Sequence, residues 1–246
     1  MKIATYNISH CQDFSVTTDD DAPVNIEKYV QYIKDLDADV LLMNEVFLKS
    51  TMLDCFDGQT DKINAGAQYP YQLEGVGKDL PWATIGNALF SKYPIEKAAC
   101  IPVLTPSEDE RREGENEWYE DRVILSATLN ADGKRFRVLG THFGLNPLEK
   151  ERMIEALCNA IDESDLPVIV MGDFNARPHA DILSPLYEKL ISCADATANT
   201  EHTFPSFAPD RTLDYMFISN DFQLVNFEVQ EEVLSDHKAL TVTVTF

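Results

Sequence analysis

The segment VIVMGDFNARP, residues 168–178, runs through four apolar residues, Val168 to Met171, and then presents Gly172, Asp173, Phe174 and Asn175. A carboxylate and an amide two residues apart suit one task in particular. The carboxylate accepts a proton from water while the amide holds an oxygen in place. On extended backbone Asp173 and Asn175 leave from one face, and Phe174 leaves from the other, toward the core. Glycine, aspartate and asparagine are also turn formers, so a plain strand-end turn accounts for the same letters. The pattern recurs along the chain: Asn7 in TYNIS, Glu45 closing DVLLMNE, His142 in LGTHFG, Asp214 in LDYMF, and Asp236-His237 ahead of KALTVTVTF. Each has an ordinary reading. Glu45 fits a solvated strand end, His142 a hydrogen-bonded core histidine, and Asp-His a chance dipeptide. Together they place oxygen and imidazole groups at the edges of apolar strands from one end of the chain to the other.

The elements that must position these groups are mostly strands. Residues 2–8, 38–46, 86–95, 122–129, 135–144, 168–173, 213–219, 223–229 and 238–246 have strand character, and NADGK between two of them is a hairpin signal. Ile26, Tyr29, Val30 and Ile33 fall at helical spacing over 25–36, with Asn25 or Val24 at the cap. NPLEKERMIEALCNAIDES, 146–164, is a second helix, with Asn146 as cap, Pro147 in the first turn, and Met153, Leu157, Ala160 and Ile161 on one face. Residues 105–121 are densely charged and form an exposed loop. Within it Trp118 and Tyr119 are expected to anchor the loop inward rather than to stack on substrate. Many strands with a few helices suggest packed sheets with helices outside. No linker, repeat or low-complexity stretch divides the chain, so 1–246 is expected to be a single domain.

The 246 residues carry 20 Lys+Arg against 42 Asp+Glu, a net charge of −22. A polyanion is repelled over most of such a surface, and attachment to membranes through basic residues is disfavoured. The five cysteines, Cys11, Cys55, Cys100, Cys158 and Cys193, are scattered and odd in number. Free thiols in a reducing compartment are expected, with Cys11 a core thiol. The first residues lack a signal-peptide core and no run reaches membrane-spanning length, which makes the cytoplasm the expected location.

TYNIS, NEV, GNALFSKYPI, TH, GDFNARP, LDYMF and SDH, in that order over nearly the whole chain, resemble the endonuclease/exonuclease/phosphatase superfamily, which shares the deoxyribonuclease I fold. The resemblance implies an α+β fold, a four-layer α/β/β/α sandwich of two central mixed β-sheets flanked by helices, with the active site where strand ends converge. It implies a metal site at Glu45, Asn7 and Asp236. It makes Asp173 and Asn175 the pair that activates and positions water, His237 the catalytic histidine oriented by Asp214, and His142 a second phosphate-contacting histidine. Arg122 and Arg211 match more loosely as substrate-facing arginines, and Arg211 equally suits pairing with a surface acid. The implied cofactor is Mg²⁺, with Mn²⁺ a substitute, since hard cations prefer carboxylate and amide oxygens. Asn44 departs from the glutamine usual before the metal glutamate, and it is expected to adjust the support of Glu45.

No stretch resembles the basic DNA-gripping loops of exonuclease III-type enzymes, and TFPSFAPDRTLDYMF, 203–217, resembles the sphingomyelinase-like and small-phosphoester branch. The expected activity is Mg²⁺-dependent hydrolysis of a small or non-polymeric phosphoester, monoester or diester, by in-line attack of water. The expected partner is a small-molecule or head-group phosphoester, not an extended nucleic acid. The alternatives are an Mg²⁺-dependent DNA or RNA nuclease and a catalytically silent binding module of the same fold.

Overall fold

The structure is a computed structural model that describes every residue except Asp20, Asn116 and Glu117. Its strands are β1 (Lys2–Asn7), β2 (Val40–Ser50), β3 (Tyr71–Leu80), β4 (Ala83–Ser91), β5 (Ile95–Val103), β6 (Arg122–Ala131), β7 (Lys134–His142), β8 (Val168–Asp173), β9 (Ile191–Ser192), β10 (Asp214–Ile218), β11 (Gln223–Val229) and β12 (Leu240–Thr245). They form two six-stranded sheets, ordered β11-β12-β1-β2-β4-β3 and β5-β6-β7-β8-β10-β9. Each sheet is mixed, because β1–β2 and β7–β8 are parallel while their other neighbours are antiparallel. The helices are α1 (Ile26–Leu36), α2 (Gln59–Ala67), α3 (Pro147–Asp162), α4 (Ser184–Lys189) and α5 (Cys193–Ala196).

Strand alternation explains the four layers. Ile3, Val40, Leu42 and Leu89 of the first sheet meet Leu125, Val138, Ile169 and Met171 of the second in one inner core. The intervening residues Ala4, Tyr6, Leu41 and Met43 face outward, under Tyr29, Ile33 and Leu36 of α1 and Ile63 of α2. On the second sheet Leu139, Val168 and Val170 face Met153, Leu157 and Ala160 of α3 and Leu186 of α4. This is why Val168 to Met171 are all apolar: β8 is buried on both faces. Each such side chain contributes about 1.5–3 kcal/mol by leaving water.

Local signals set the boundaries. Asn25 caps α1, accepting from the Lys28 amide at 3.2 Å, and Asp37 ends the helix in the left-handed region at φ 44°. At the start of α3, Glu149 reaches back to accept from the Asn146 amide at 3.0 Å. Between β6 and β7, Asp132 and Gly133 have φ 53° and 90°, as a two-residue hairpin turn requires.

The strands without a clear sequence signature, β3, β5 and β9, are all sheet edges. Exposed residues such as Gln72, Glu96 and Lys97 blur their alternation. The expected exposed loop is present: among its described residues, 105–121 carry no helix or strand, and Arg112–Glu151 (2.7 Å) and Arg152–Glu110 (2.5 Å) tie it to α3. No helix among the described residues is long and apolar enough to cross a membrane.

Candidate active site

Strand register gathers the polar residues. In the second sheet Asp173 lies opposite His142 of β7 and opposite Asp214 of β10, so three strands end in one row. In the first sheet Asn7 lies opposite Asn44 in the β1–β2 pair, with Glu45 next along the chain. The loop before β12 adds Asp236 and His237. The two rows face each other across the inner core, at the floor of a cleft of about 530 Å³.

On the first-sheet side, the register of β2 shifts between Met43 and Val46, and Glu45 has φ 56°. This bulge turns the Glu45 carboxylate into the cleft. Asn7 donates its Nδ2 hydrogens to Glu45 Oε1 (2.9 Å) and Asp173 Oδ2 (3.2 Å), linking the two rows, while its Oδ1 accepts from the Ser9 amide (3.1 Å). Burial works against the Glu45 charge, but His10, His142 and the Asn7 amide outweigh it and hold its carboxyl at about 2.

Asn44 corrects the sequence expectation. Its hydrogen bonds run to the Asn87 side chain (2.8 Å), the Thr141 carbonyl (3.0 Å) and the Asp173 amide (3.2 Å), not to Glu45. It pins the two sheets together beneath Asp173.

Asp173 and Asn175 are both turn and site. Asn175 has φ 47°, so the pair is not extended as the sequence suggested. Its amide donates to Asp173 Oδ1 at 2.8 Å, and the turn still keeps both side chains on the cleft wall. Phe174 points to the core against Phe143 (4.7 Å) and Tyr215 (5.3 Å). Gly172 permits the arrangement. Its φ is 142°, and a Cβ there would sit 1.9 Å from the Thr141 carbonyl oxygen. Burial raises the Asp173 carboxyl, His237 opposes the rise, and Asp214 adds to it.

His142 is held neutral, its pKa lowered to about 3 by burial and then by Arg122. Arg122 Nη1 lies 3.2 Å from His142 Nδ1. Guanidinium nitrogens only donate, so the neutral ring accepts from only one of Arg122 and the Asn175 side-chain amide nitrogen, which lies 3.3 Å from His142 Nε2. His142 Nε2 is 3.6 Å from Asp173 Oδ2 and 3.9 Å from Glu45 Oε1. Arg122 Nη2 pairs with Glu120 at 3.2 Å.

His237 Nδ1 is 2.8 Å from Asp214 Oδ2, and its Nε2 is 3.7 Å from Asp173 Oδ2. Burial lowers its pKa, but Asp214 and Asp173 more than reverse this and raise it to about 10, so the ring is an imidazolium at neutral pH. Phe204 packs on that ring at 4.7 Å, and the Arg211 guanidinium lies over Phe204 at 5.3 Å. Arg211 lines the cleft and pairs with Asp210 at 2.6 Å. Asp236 Oδ1 accepts from Ser235 Oγ at 3.1 Å, and its carboxyl is raised by burial, with Glu45 adding to the rise.

The structure therefore brings together all ten residues singled out in the sequence. It adds His10, which faces Glu45, Lys78, which pairs with Glu120, and Asn87 and Phe204. His10 lies three residues after Asn7, and Asn87 and Phe204 lie within GNALFSKYPI and TFPSFAPDRTLDYMF. Lys78 became visible only when β3 folded over the cleft. The inward anchoring expected of the loop aromatics is partial for Tyr119, which is half-buried but donates to Glu115 and lies under Arg111, both of the same loop. It fails for Trp118, which is 72% exposed and lines the cleft rim with Leu145.

The donor set suits a hard cation. Glu45, His142 and Asp173 place one ligand atom each within 4.8 Å of one another, and no cysteine is among the described cleft residues. Like charge is also in surplus, since Glu45 contributes to the rise of both Asp173 and Asp236. A dication would relieve it.

Comparison with known proteins gives the class. The sequence profile of the endonuclease/exonuclease/phosphatase family matches residues 4–237, and the chain belongs to that family. Its members are hydrolases of phosphoester bonds that depend on divalent metal ions. Sphingomyelinase C 2 of Leptospira interrogans is 25% identical over 206 residues, which are 68% of this chain. This chain spans about a third, 32%, of that relative's length. Two solved structures share the fold. A family protein from Bacteroides vulgatus superposes with a TM-score of 0.76 at 19% identity, covering 99% of this chain and 98% of its own. The mannosyl-6-phosphatase Bt3783 of Bacteroides thetaiotaomicron superposes with a TM-score of 0.77 at 16% identity, covering 100% of both chains.

Proposed function

We propose that this protein is an Mg²⁺-dependent hydrolase of a small or non-polymeric phosphoester, acting by in-line attack of water. The observation that carries the reading is the meeting of Glu45, Asp173 and His237 from distant parts of the chain on one cleft floor. A cation held by Glu45 and Asp236, with Asn7 beside them, would supply positive charge to the phosphoryl oxygens.

The chain's own groups do the rest. Asp173 takes the proton of the attacking water, and a carboxyl lifted by burial is the better base for it. Asn175 and His142 contact phosphoryl oxygens. His237, kept charged by Asp214, offers a cationic donor where negative charge builds up. Arg122 sets its guanidinium against His142, and Arg211 and Phe204 form one wall for the substrate.

A small substrate is favoured by the net charge of −22 and by the pairing of Lys78, Arg122 and Arg211 with Glu120 and Asp210, which leaves little basic surface for a polymer. The Leptospira relative is named a sphingomyelinase and the Bacteroides neighbour a sugar phosphatase, and both names fit non-polymeric substrates. The unpaired cysteines support a reducing, cytoplasmic setting.

The test is a panel of sugar phosphates, nucleotides, lipid head-group phosphodiesters, single-stranded DNA and RNA, assayed with Mg²⁺ and with EDTA. Turnover of a small ester that EDTA abolishes is expected. Robust polymer cleavage at physiological salt, or no metal-dependent turnover on any substrate, would overturn the proposal.

A further inference from the structure

His10 stands outside the roles given above, yet its ring lines the same cleft. The turn that carries it is unusual. Ser9, His10 and Cys11 have φ of 39°, 59° and 62°, three consecutive non-glycine residues in the left-handed region. Glu45, across from it, has φ 56°. Side chains held in such backbone cost of order 1–3 kcal/mol each, and they persist where the surroundings over-determine them.

The surroundings do so here. Ser9 donates its amide to Asn7 Oδ1 (3.1 Å), Cys11 to the Ile8 carbonyl (2.8 Å) and Gln12 to the Ser9 carbonyl (3.0 Å). The fully buried Gln59 ties the two strained segments to each other. Its Nε2 donates to the His10 carbonyl (2.6 Å), and its Oε1 accepts from the amide of Phe47, two residues after Glu45. The His10 ring rests on the Phe47 ring at 4.6 Å.

The ring's polarity is fixed by its two nitrogens. Nδ1 is buried with no hydrogen-bond partner, and a buried N–H without an acceptor costs more than a bare lone pair. The ring proton of the neutral imidazole therefore belongs on Nε2, which faces Glu45 Oε2 at 3.6 Å. The other carboxylate oxygen, Oε1, takes the Asn7 amide at 2.9 Å. Asn7 holds one oxygen of the Glu45 carboxylate by a hydrogen bond and the His10 ring edge stands beside the other at ion-pair distance, so the two together limit rotation about the last side-chain bond.

We infer that His10 is a positioning residue for Glu45, its Nε2–H presetting the carboxylate for a divalent cation. This rests on the reading of Glu45 as the metal ligand. Partners of this kind set ligand orientation, and their loss typically weakens metal binding by about 10–100-fold.

The test measures Mn²⁺ binding directly, by electron paramagnetic resonance titration of the whole chain after EDTA treatment. The variants are Glu45→Gln, His10→Ala and His10→Gln. All three residue types at position 10 bear a Cβ, so the backbone strain is common to them. Glutamine alone restores an N–H near the Nε2 position. His10→Ala is expected to raise the Mn²⁺ Kd about tenfold, and His10→Gln to recover most of the loss. The metal-free melting temperatures of the two variants should agree, which separates positioning from folding.

If Glu45→Gln weakens Mn²⁺ binding and His10→Ala does not, the inference falls while the metal reading stands. If His10→Gln binds as poorly as His10→Ala, the N–H has no role and the inference also falls. If Glu45→Gln binds Mn²⁺ like the wild type, the metal reading itself fails and takes the inference with it.

Discussion

The Asp214–His237 pair allows a quantitative forecast. Asp214 and Asp173 raise the His237 pKa from 6.5 to about 10 against the opposing effect of burial. At 1.36 kcal/mol per pH unit, that difference is worth roughly 5 kcal/mol of preference for the imidazolium. Asp214 supplies both the nearest charge and the 2.8 Å hydrogen bond, so Asp214→Asn removes the largest favourable share. The substitution is expected to lower the His237 pKa by at least about two units. Imidazole NMR resonances followed from pH 5 to 11 in EDTA-treated protein read this directly.

The stability consequence has a definite sign. A group with a raised folded pKa contributes its stability fully below its unfolded value and loses it as pH rises through the folded one. The variant's stability deficit should therefore be greatest below about pH 6.5 and shrink toward pH 10. Turnover at neutral pH should drop by about a hundredfold or more, because the ring loses the 2.8 Å hydrogen bond that orients it. A His237 titration unmoved by Asp214→Asn, or a stability deficit flat across that range, would refute the reasoning.

Three further outcomes are expected. Asp173→Asn should lower kcat by at least about a hundredfold while the urea midpoint stays near or above that of the wild type, since the variant buries an amide in place of a carboxylate that burial disfavours. Gly172→Ala should cost about 3 kcal/mol or more in urea denaturation, because its φ of 142° and the Thr141 carbonyl 1.9 Å from a Cβ leave no relaxed position. Trp118→Ala should raise KM for aryl phosphoesters several-fold and leave KM for methyl esters and kcat unchanged, as removal of an exposed rim aromatic requires.

Much of this was legible in the sequence because buried strands and helix caps leave local marks. Val168 to Met171 announced a strand covered on both faces, and Asn25 and Asn146 announced the starts of α1 and α3. The order of the polar strand ends carried the family, and the parallel and antiparallel registers turned that order into proximity. What was hidden depends on contacts between distant segments. Asn44 gave no sign that it reaches Asp173 rather than Glu45, since its partners lie on β4, β7 and β8. The bulge at Glu45 and the left-handed turn at His10 are set by Gln59 and the Ser9 and Cys11 hydrogen bonds, which no periodicity encodes. The exposure of Trp118 beside a half-buried Tyr119 depends on α3, where Asn146 Nδ2 donates to the Trp118 carbonyl at 3.1 Å and Glu149 accepts from the Glu120 amide at 3.0 Å.

Crystals soaked in Mn²⁺ and measured at the manganese absorption edge would locate the cation without reference to any substrate. The expected result is an anomalous peak in the cleft bonded to a carboxylate oxygen of Glu45, lost in Glu45→Gln. A cleft without a peak, or a peak seated instead on the Asp173, Asp214 and His237 cluster, would contradict it.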